Sequence, residues 1–268
     1  MYTEYQPSHL LVPYIDSYWE FKGNPDYGMR IHILPDGCTD FIFTLGEVAN
    51  AVEEGSLIMQ PYRSYFVGPM TKYSELVTYT ESIHMFGVRF LPCGLSCFTN
   101  LPLHEFVNSR VSTNEMKAVF DDTFIEKLGE QKHVTDRIRV VEEYLLAYLA
   151  RHYQPADSHV AMAVNMINHS KGKRSVRSLM DDVCLCQRHF ERKFKHYTGF
   201  TPKEYSRIVK FKNAVELLRT TTSANLLTTA VDAGYYDLAH FSKEIKSMSG
   251  NTPASFLSLT VPEETTLT

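Results

Sequence analysis

The stretch HFERKFKHYTGFTPKEY at residues 189–205 recurs 51 positions further on, without a gap, as HFSKEIKSMSGNTPASF at 240–256. His189/His240, Phe190/Phe241, Lys195/Lys246, Gly199/Gly250, Thr201/Thr252 and Pro202/Pro253 are identical. Arg192/Lys243, Phe194/Ile245 and Tyr205/Phe256 keep charge or bulk. A repeat at a fixed offset means that one small unit was built twice.

The unit has a definite physical form. Phe190 and Phe194 stand four apart, as Phe241 and Ile245 do, so each pair shares the buried face of a helix. Arg188, Glu191, Arg192 and Lys195 fall on the opposite side of the first helix; Ser242, Lys243 and Lys246 fall there on the second. Gly199 and Gly250 suit the left-handed position just past a helix end. Thr201-Pro202 and Thr252-Pro253 suit a restart, with Thr as N-cap and Pro in the first turn. Shorter helical stretches precede both: SVRSLMDDV, with Ser175 as N-cap, and NLLTTAVDA, ending at Gly234. A short helix, a turn and a helix with a basic outer face form a helix-turn-helix. A plain helical bundle with solvated basic faces would show the same pattern once; two copies in one register favour the former.

Charge supports that choice. The 268 residues carry a formal net charge of −4, with 44% hydrophobic and 22% charged residues, which excludes a disordered or collagen-like chain. The total hides a split. Residues 1–156 hold 12 basic and 20 acidic side chains, and residues 157–268 hold 15 and 11. A basic C-terminal part behind an acidic N-terminal one suits a chain of which one part meets a polyanion. No apolar run approaches the roughly 20 residues that span a bilayer. Met1 to Leu11 lacks the features of a signal peptide, so a cytoplasmic location and reduced cysteines are expected.

Residues 1–111 read as β structure. MRIHILPDGCTDFIFTLGE has an apolar run, a turn at Pro35-Asp36-Gly37 and the alternation Phe41, Phe43, Leu45. SYFVGPM, ELVTYT and SIHMFGVRF add short strands between Gly and Pro signals. An antiparallel barrel or sandwich follows. From about residue 112 the period is helical. Ser112 to Glu115 fits a capping box opening a helix with Met116, Val119 and Phe120 on one side. A longer amphipathic helix carries Ile138, Val141, Leu145, Tyr148 and Leu149 on one stripe, a candidate dimer surface unless it covers the barrel.

Residues 158–258 resemble the DNA-binding domain of AraC/XylS-type transcription regulators, in which two helix-turn-helix units are joined by a long central helix. TPKEYSRIVKFKNAVELLR (201–219) matches the central helix, and AVDAGYYDLAHFSKEIK (230–246) matches the most recognisable stretch of the family. The sequence departs from the family at Met180 (usually Ala), Cys186 (usually a Ser N-cap), Thr229 (usually aliphatic) and Ile245 (usually Phe). The N-terminal part resembles, less specifically, the sensor halves of such regulators.

The resemblance implies an α+β chain of two domains. Residues 1–152 would form a cupin-like antiparallel β-barrel with trailing helices, for sensing and dimerisation. A linker at 153–157 would lead to an all-α double helix-turn-helix domain at 158–260 and a frayed tail at 261–268. It implies a sequence-specific transcription regulator, an activator more than a repressor, that binds double-stranded DNA, contacts RNA polymerase and forms a homodimer. Its base-facing positions fall on Arg188, Glu191 and Arg192 in the first unit, and on Leu238, Ala239, Ser242 and Lys243 in the second. Arg suits guanine and Glu suits cytosine N4, unless Glu191 only orients its neighbours. Lys195, Lys246 and Lys203 suit phosphates. For a small-molecule effector in the barrel, Phe41, Phe43, His84, Phe86 and Arg89 are the candidates, with Arg89 facing an anion.

Enzymatic readings find no support in the sequence. His32 and His84 stand alone, without the His-x-His of a catalytic cupin, and the cysteine spacings at 93/97 and 184/186 are not those of zinc sites. A glycine-rich phosphate loop and a nucleophile elbow are missing. A DNA-binding regulator without cofactor or metal is therefore expected. The alternative is a helical interaction module whose basic faces bind an acidic protein.

Overall fold

A computed structural model describes all residues except 54, 117, 118, 121, 184, 221–225, 258–265 and 268. The N-terminal strands are β1 (Tyr2–Tyr5), β2 (Ile15–Gly23), β3 (Arg30–Ile33), β4 (Thr39–Thr44), β5 (Asn50–Ala51), β6 (Ser64–Val67), β7 (Ser74–Val77), β8 (Ile83–Phe90) and β9 (Arg110–Ser112). They form two sheets. One runs β1-β2-β8-β4-β6-β9 and is antiparallel throughout; the other holds β3, β7 and β5.

Side-chain alternation divides the larger sheet into two faces. Trp19, Phe21, Ile42, Val67 and Met85 point toward the second sheet and meet Ile31 and Leu76 there. The Trp19 ring covers Gly87, where a Cβ would stand 2.0 Å from Trp19 Cε2. Tyr18, Phe41, Phe43, Phe66, Phe86, Val88 and Phe90 point the other way.

Two helices cover that second face: α1 (Asp122–Gly129) and α2 (Val134–His152). Val141 and Leu145 of α2 are fully buried, and Ile138, Tyr148 and Leu149 pack in the same cluster. The apolar stripe is thus used within the chain and is no free dimer surface. The helix expected after Ser112 is also corrected: Thr113–Glu115 is a single 3-10 turn, Ser112 makes no side-chain cap, and Met116 is extended. The Ser64 and Thr113 hydroxyls share a hydrogen bond of 2.5 Å, which ties this turn to the sheet.

The C-terminal helices are α3 (Ser158–His169), α4 (Val176–Val183), α5 (Gln187–Thr198), α6 (Pro202–Thr220), α7 (Leu226–Asp232) and α8 (Leu238–Ser249). A 3-10 turn, Pro253–Phe256, follows. All six share one core, with Phe190, Phe194, Ile208, Phe211, Phe241 and Ile245 at its centre. Each such side chain contributes about 1.5–3 kcal/mol on full burial. Residues 261–265 and 268 of the expected frayed tail lie outside the described residues. Thr266–Leu267 forms β10, which pairs in parallel with β3 and covers an edge that would otherwise expose unpaired backbone groups.

Candidate nucleic-acid interface

The first unit is α4, a tight turn and α5. The Ser175 hydroxyl accepts the Ser178 N–H at 3.1 Å, the capping bond that starts α4, and Leu179 and Val183 turn inward. On α5 the i, i+4 pair Phe190 and Phe194 is fully buried, which leaves Arg188, Arg192 and Lys195 exposed. Glu191 is half-buried and accepts from Gln187 Nε2 at 2.8 Å. Arg192 reaches the His189 ring at 3.1 Å. Arg188 has no hydrogen bond or ion pair to any described residue.

The second unit, α7 and α8, repeats the arrangement. Thr229 and Ala230 are buried, Gly234 turns the chain at φ +85°, and Phe241 and Ile245 are fully buried. Leu238, Ala239, Lys243 and Lys246 are exposed and Ser242 is half-buried. Lys203, at the start of α6, is exposed as well. Tyr236, 93% exposed immediately before the α8 N-cap, escapes the sequence analysis; its place in the turn beside a basic helix is the signal that marks it.

Corresponding positions make corresponding bonds. The Thr198 hydroxyl bonds the carbonyls of Phe194 and Phe200, and the Ser249 hydroxyl bonds those of Ile245 and Asn251. Gly199 and Gly250 end the two helices in the left-handed region at φ +83° and +74°. The central helix α6 joins the units. Arg207 on α6 grips Glu244 on α8 through two bonds, of 2.7 and 3.1 Å, and that carboxylate raises the Arg207 pKa above its ordinary value.

Both outer helices rest their C-terminal ends on the N-terminal domain. A Cβ on Gly199 would stand 2.6 Å from Pro69 Cγ, and one on Gly250 would stand 2.7 Å from Tyr73 Cζ. The Tyr73 N–H donates to the Met248 carbonyl at 2.8 Å, and His196 meets Asn100 at 3.0 Å. The opposite ends of α5 and α8, which carry Arg188, Leu238 and Ala239, stay open to solvent.

Comparison with known proteins agrees with this geometry. Residues 179–258 match the model of a family described as a helix-turn-helix domain, and residues 3–112 match a domain of unknown function (DUF6597). No curated protein matches the chain. Among solved structures, ToxT from Vibrio cholerae aligns over 90% of this chain and 98% of its own, at 9% identity and a TM-score of 0.53. ToxT from V. cholerae O395 bound to (E)-4-(8-methylnaphthalen-1-yl)but-3-enoic acid gives 10% identity, the same coverage and the same TM-score of 0.53. The unsaturated fatty acid bound ToxT of strain SCE256 gives 12% identity over 90% and 95% of the two chains, with a TM-score of 0.50. At these identities the likeness is one of fold. Residues 179–258 of the chain are a helix-turn-helix domain.

A helix-turn-helix domain is a DNA-binding unit. Among the described residues, no helix is long and apolar enough to cross a membrane, and no group of three or more His, Cys, Asp or Glu is placed to hold a metal ion. The departures from the family pattern have visible effects. Cys186 occupies the N-cap of α5 and makes no side-chain cap, whereas Asp237 caps α8 by accepting the His240 N–H at 2.7 Å. Ile245 and Thr229 are buried, and Met180 packs at the edge of the core.

The five effector candidates are not brought together. Phe41, Phe43 and Phe86 are fully buried under α1 and α2, where Phe120 and Phe124 fill the space between them. His84, on the same face, bonds Glu20 at 3.0 Å; that bond, with Arg137, holds the Glu20 carboxyl below its ordinary pKa against the effect of burial. Arg89 lies on the opposite face. It meets Glu4, Asp36 and Asp40 at 3.3, 3.4 and 3.3 Å, and burial works against its charge while Asp40 and Asp36 hold it. With three carboxylates around it, Arg89 is already neutralised.

Proposed function

We propose that this chain is an AraC-type transcription regulator that binds double-stranded DNA sequence-specifically, with α5 and α8 in successive major grooves about 34 Å apart on one face of the duplex. The observation that supports this most is the pair of like-built units on one core, docked at their C-terminal ends and open at the ends carrying Arg188 and Leu238. Arg188, without a partner among the described residues, suits a bidentate contact to guanine O6 and N7. Arg192 is a second base-facing cation. Glu191, held by Gln187, accepts from cytosine N4 or steadies that end of the helix. Leu238 and Ala239 suit thymine methyls, and Ser242 and Lys243 the adjoining base edges. Lys195, Lys246 and Lys203 suit phosphates. The unlike faces of the two units call for an asymmetric site.

A small-molecule effector in the N-terminal domain would set the availability or spacing of the two units, and transcription control would run through RNA polymerase. The ligand-bound ToxT structures support an effector by analogy of fold. A homodimer would need a surface other than the buried stripe of α2 and would require two sites. The test is selection of duplexes from a random pool, followed by titration at several salt concentrations. A selected sequence preferred over random duplex at every salt concentration, with affinity falling steeply as salt rises, is expected. Equal affinity for all duplexes and tight binding of an acidic protein would support the interaction-module reading instead.

A further inference from the structure

Three arginines of the N-terminal domain are drawn away from water, Arg89 and Arg137 buried and Arg110 half-buried, and the first two are matched. Arg89 has its three carboxylates. Arg137 bonds Glu20 at 3.0 Å and the carbonyls of Leu128 and Gln131 at 3.3 and 2.5 Å. Arg110 on β9 is the exception. Its Nη2 donates to Ser74 Oγ at 2.8 Å, but no carboxylate of a described residue stands at ion-pair distance. Glu53, whose charge favours the ionised Arg110, is engaged by Lys72 at 3.1 Å. Burial accordingly lowers the Arg110 pKa, with Glu53 only partly opposing it. A partly desolvated cation with no carboxylate of a described residue at ion-pair distance suits an anion supplied from outside.

Arg110 stands where two spaces meet. On one side is the apolar gap between the sheets, walled by Trp19, Ile42, Leu76 and Met85. On the other is a groove of about 370 Å³, lined by Lys72, Tyr73, Ser74, Asn108 and Ser109 together with Arg110. That volume lies within the usual range for small-molecule sites, roughly 300–1,000 Å³. Its wall mixes two cations, and the Glu53 carboxylate that Lys72 engages, with hydroxyl and amide groups, and a guanidinium fork matches a carboxylate or a phosphate through two parallel bonds.

The groove adjoins the contact between domains. Its wall includes Met70, Lys72 and Tyr73, from the segment whose Pro69 abuts Gly199 and whose Tyr73 abuts Gly250. Asn108, in the left-handed region at φ +57°, anchors this segment from below. Its N–H donates to the Pro69 carbonyl at 2.9 Å, and its Oδ1 accepts the Thr71 N–H at 2.8 Å.

We propose that Arg110 and Lys72 bind a small hydroxylated organic anion, a carboxylate or a phosphate, in this groove, and that its occupancy reaches both DNA-binding units through residues 68–74. The coupling rests on the effector-controlled reading given above; the binding site does not.

The test uses the full chain, titrated calorimetrically with inorganic phosphate, gluconate and glucose 6-phosphate at constant ionic strength. At least one should bind saturably. Arg110→Gln should weaken it roughly 10- to 100-fold, the range for a charge-assisted hydrogen bond, and Arg110→Lys should restore part of the loss. Lys127→Gln, on α1 across the sheet, should change nothing. Unliganded Arg110→Gln should melt no lower than the parent, because it removes an unmatched cation; a lower melting point would make Arg110 a structural residue and overturn the proposal. No saturable binding by any of the three probes, or equal binding by Arg110→Gln, would also overturn it. Binding that Arg110→Gln abolishes but that leaves duplex affinity unchanged would sustain the site and overturn the coupling. Failure of the unliganded chain to prefer any duplex would defeat the regulator reading and leave the anion site standing.

Discussion

Cys186 and Asp237 hold the same position in the two units, one residue before each outer helix, and only the aspartate caps. A free backbone N–H at a helix start is worth about 1 kcal/mol when a side-chain oxygen satisfies it. Cys186→Asp should therefore stabilise the C-terminal domain by about 1 kcal/mol, and Asp237→Ala should cost a similar amount; thermal melts of both variants check this. The next restart shows the same logic. Thr201 and Glu204 close a reciprocal capping box, with bonds of 2.7 and 3.1 Å, and the long helix α6 follows. At the matching place Thr252 faces Ser255, the box cannot close, and the chain makes only a 3-10 turn. Arg188 is the residue whose change should be read in DNA. Arg188→Ala is expected to relax base preference at one position of the site, at a cost of roughly 1–3 kcal/mol. Uniform weakening on all duplexes, measured by competition titration, would make it a phosphate contact instead.

At the scale of elements, the helices of the repeat were legible because their signals are local: an i, i+4 apolar pair, a glycine past the end, a Thr-Pro restart. The strands were legible as strands, and residue parity even foretells their faces. His84 and Phe86 are even-numbered on β8 and Arg89 is odd, so they cannot line one cavity. Arg110 was not legible, because its neighbours Ser74 and Lys72 lie more than 35 residues away and only the packing of β9, at the edge of one sheet, against β7 of the other brings them close. The 3-10 turn at 113–115 was misjudged because a capping-box pattern signals a start and says nothing of length.

Asp157, the N-cap of α3, gives an element-scale test. It accepts the N–H groups of His159 and Val160 at 3.1 and 3.2 Å and meets Lys193 Nζ at 2.6 Å. Burial opposes its ionisation, but the Lys193 bond and these N–H groups outweigh burial and hold its pKa below the ordinary value. A carboxylate with a depressed folded pKa adds stability that is present above its unfolded pKa, about 4, and is lost as pH falls through the lower folded value. Asp157→Asn retains a capping oxygen and loses the charge, so it should cost roughly 0.5–1 kcal/mol at pH 7. Denaturant titrations should show the two proteins converging below about pH 4; a constant gap across pH would mean that the charge contributes nothing.

The whole molecule is an acidic portion and a basic portion that share the edge of one core. Leu34 and Cys93 of the N-terminal part are buried in the helical core, and Lys212 on α6 reaches the Asp36 carbonyl at 3.4 Å. Asp36 in turn touches Arg89, so the central helix is linked to the sheet through a single loop. The two helix-turn-helix units sit on that helix as one packed body. Docking at Gly199 and at Gly250 should therefore be cooperative. Tyr73→Ala removes the ring that abuts Gly250 but keeps the backbone bond to Met248, at an expected cost of roughly 1–3 kcal/mol for a partly buried aromatic. Hydrogen exchange separates the possibilities. A single body predicts faster exchange at residues 248–250 and also at 196–200, although the substitution touches only the first of these segments. Faster exchange confined to 248–250 would mean that the units undock independently, and the spacing of α5 and α8 on DNA would then be set by the duplex and not by the protein.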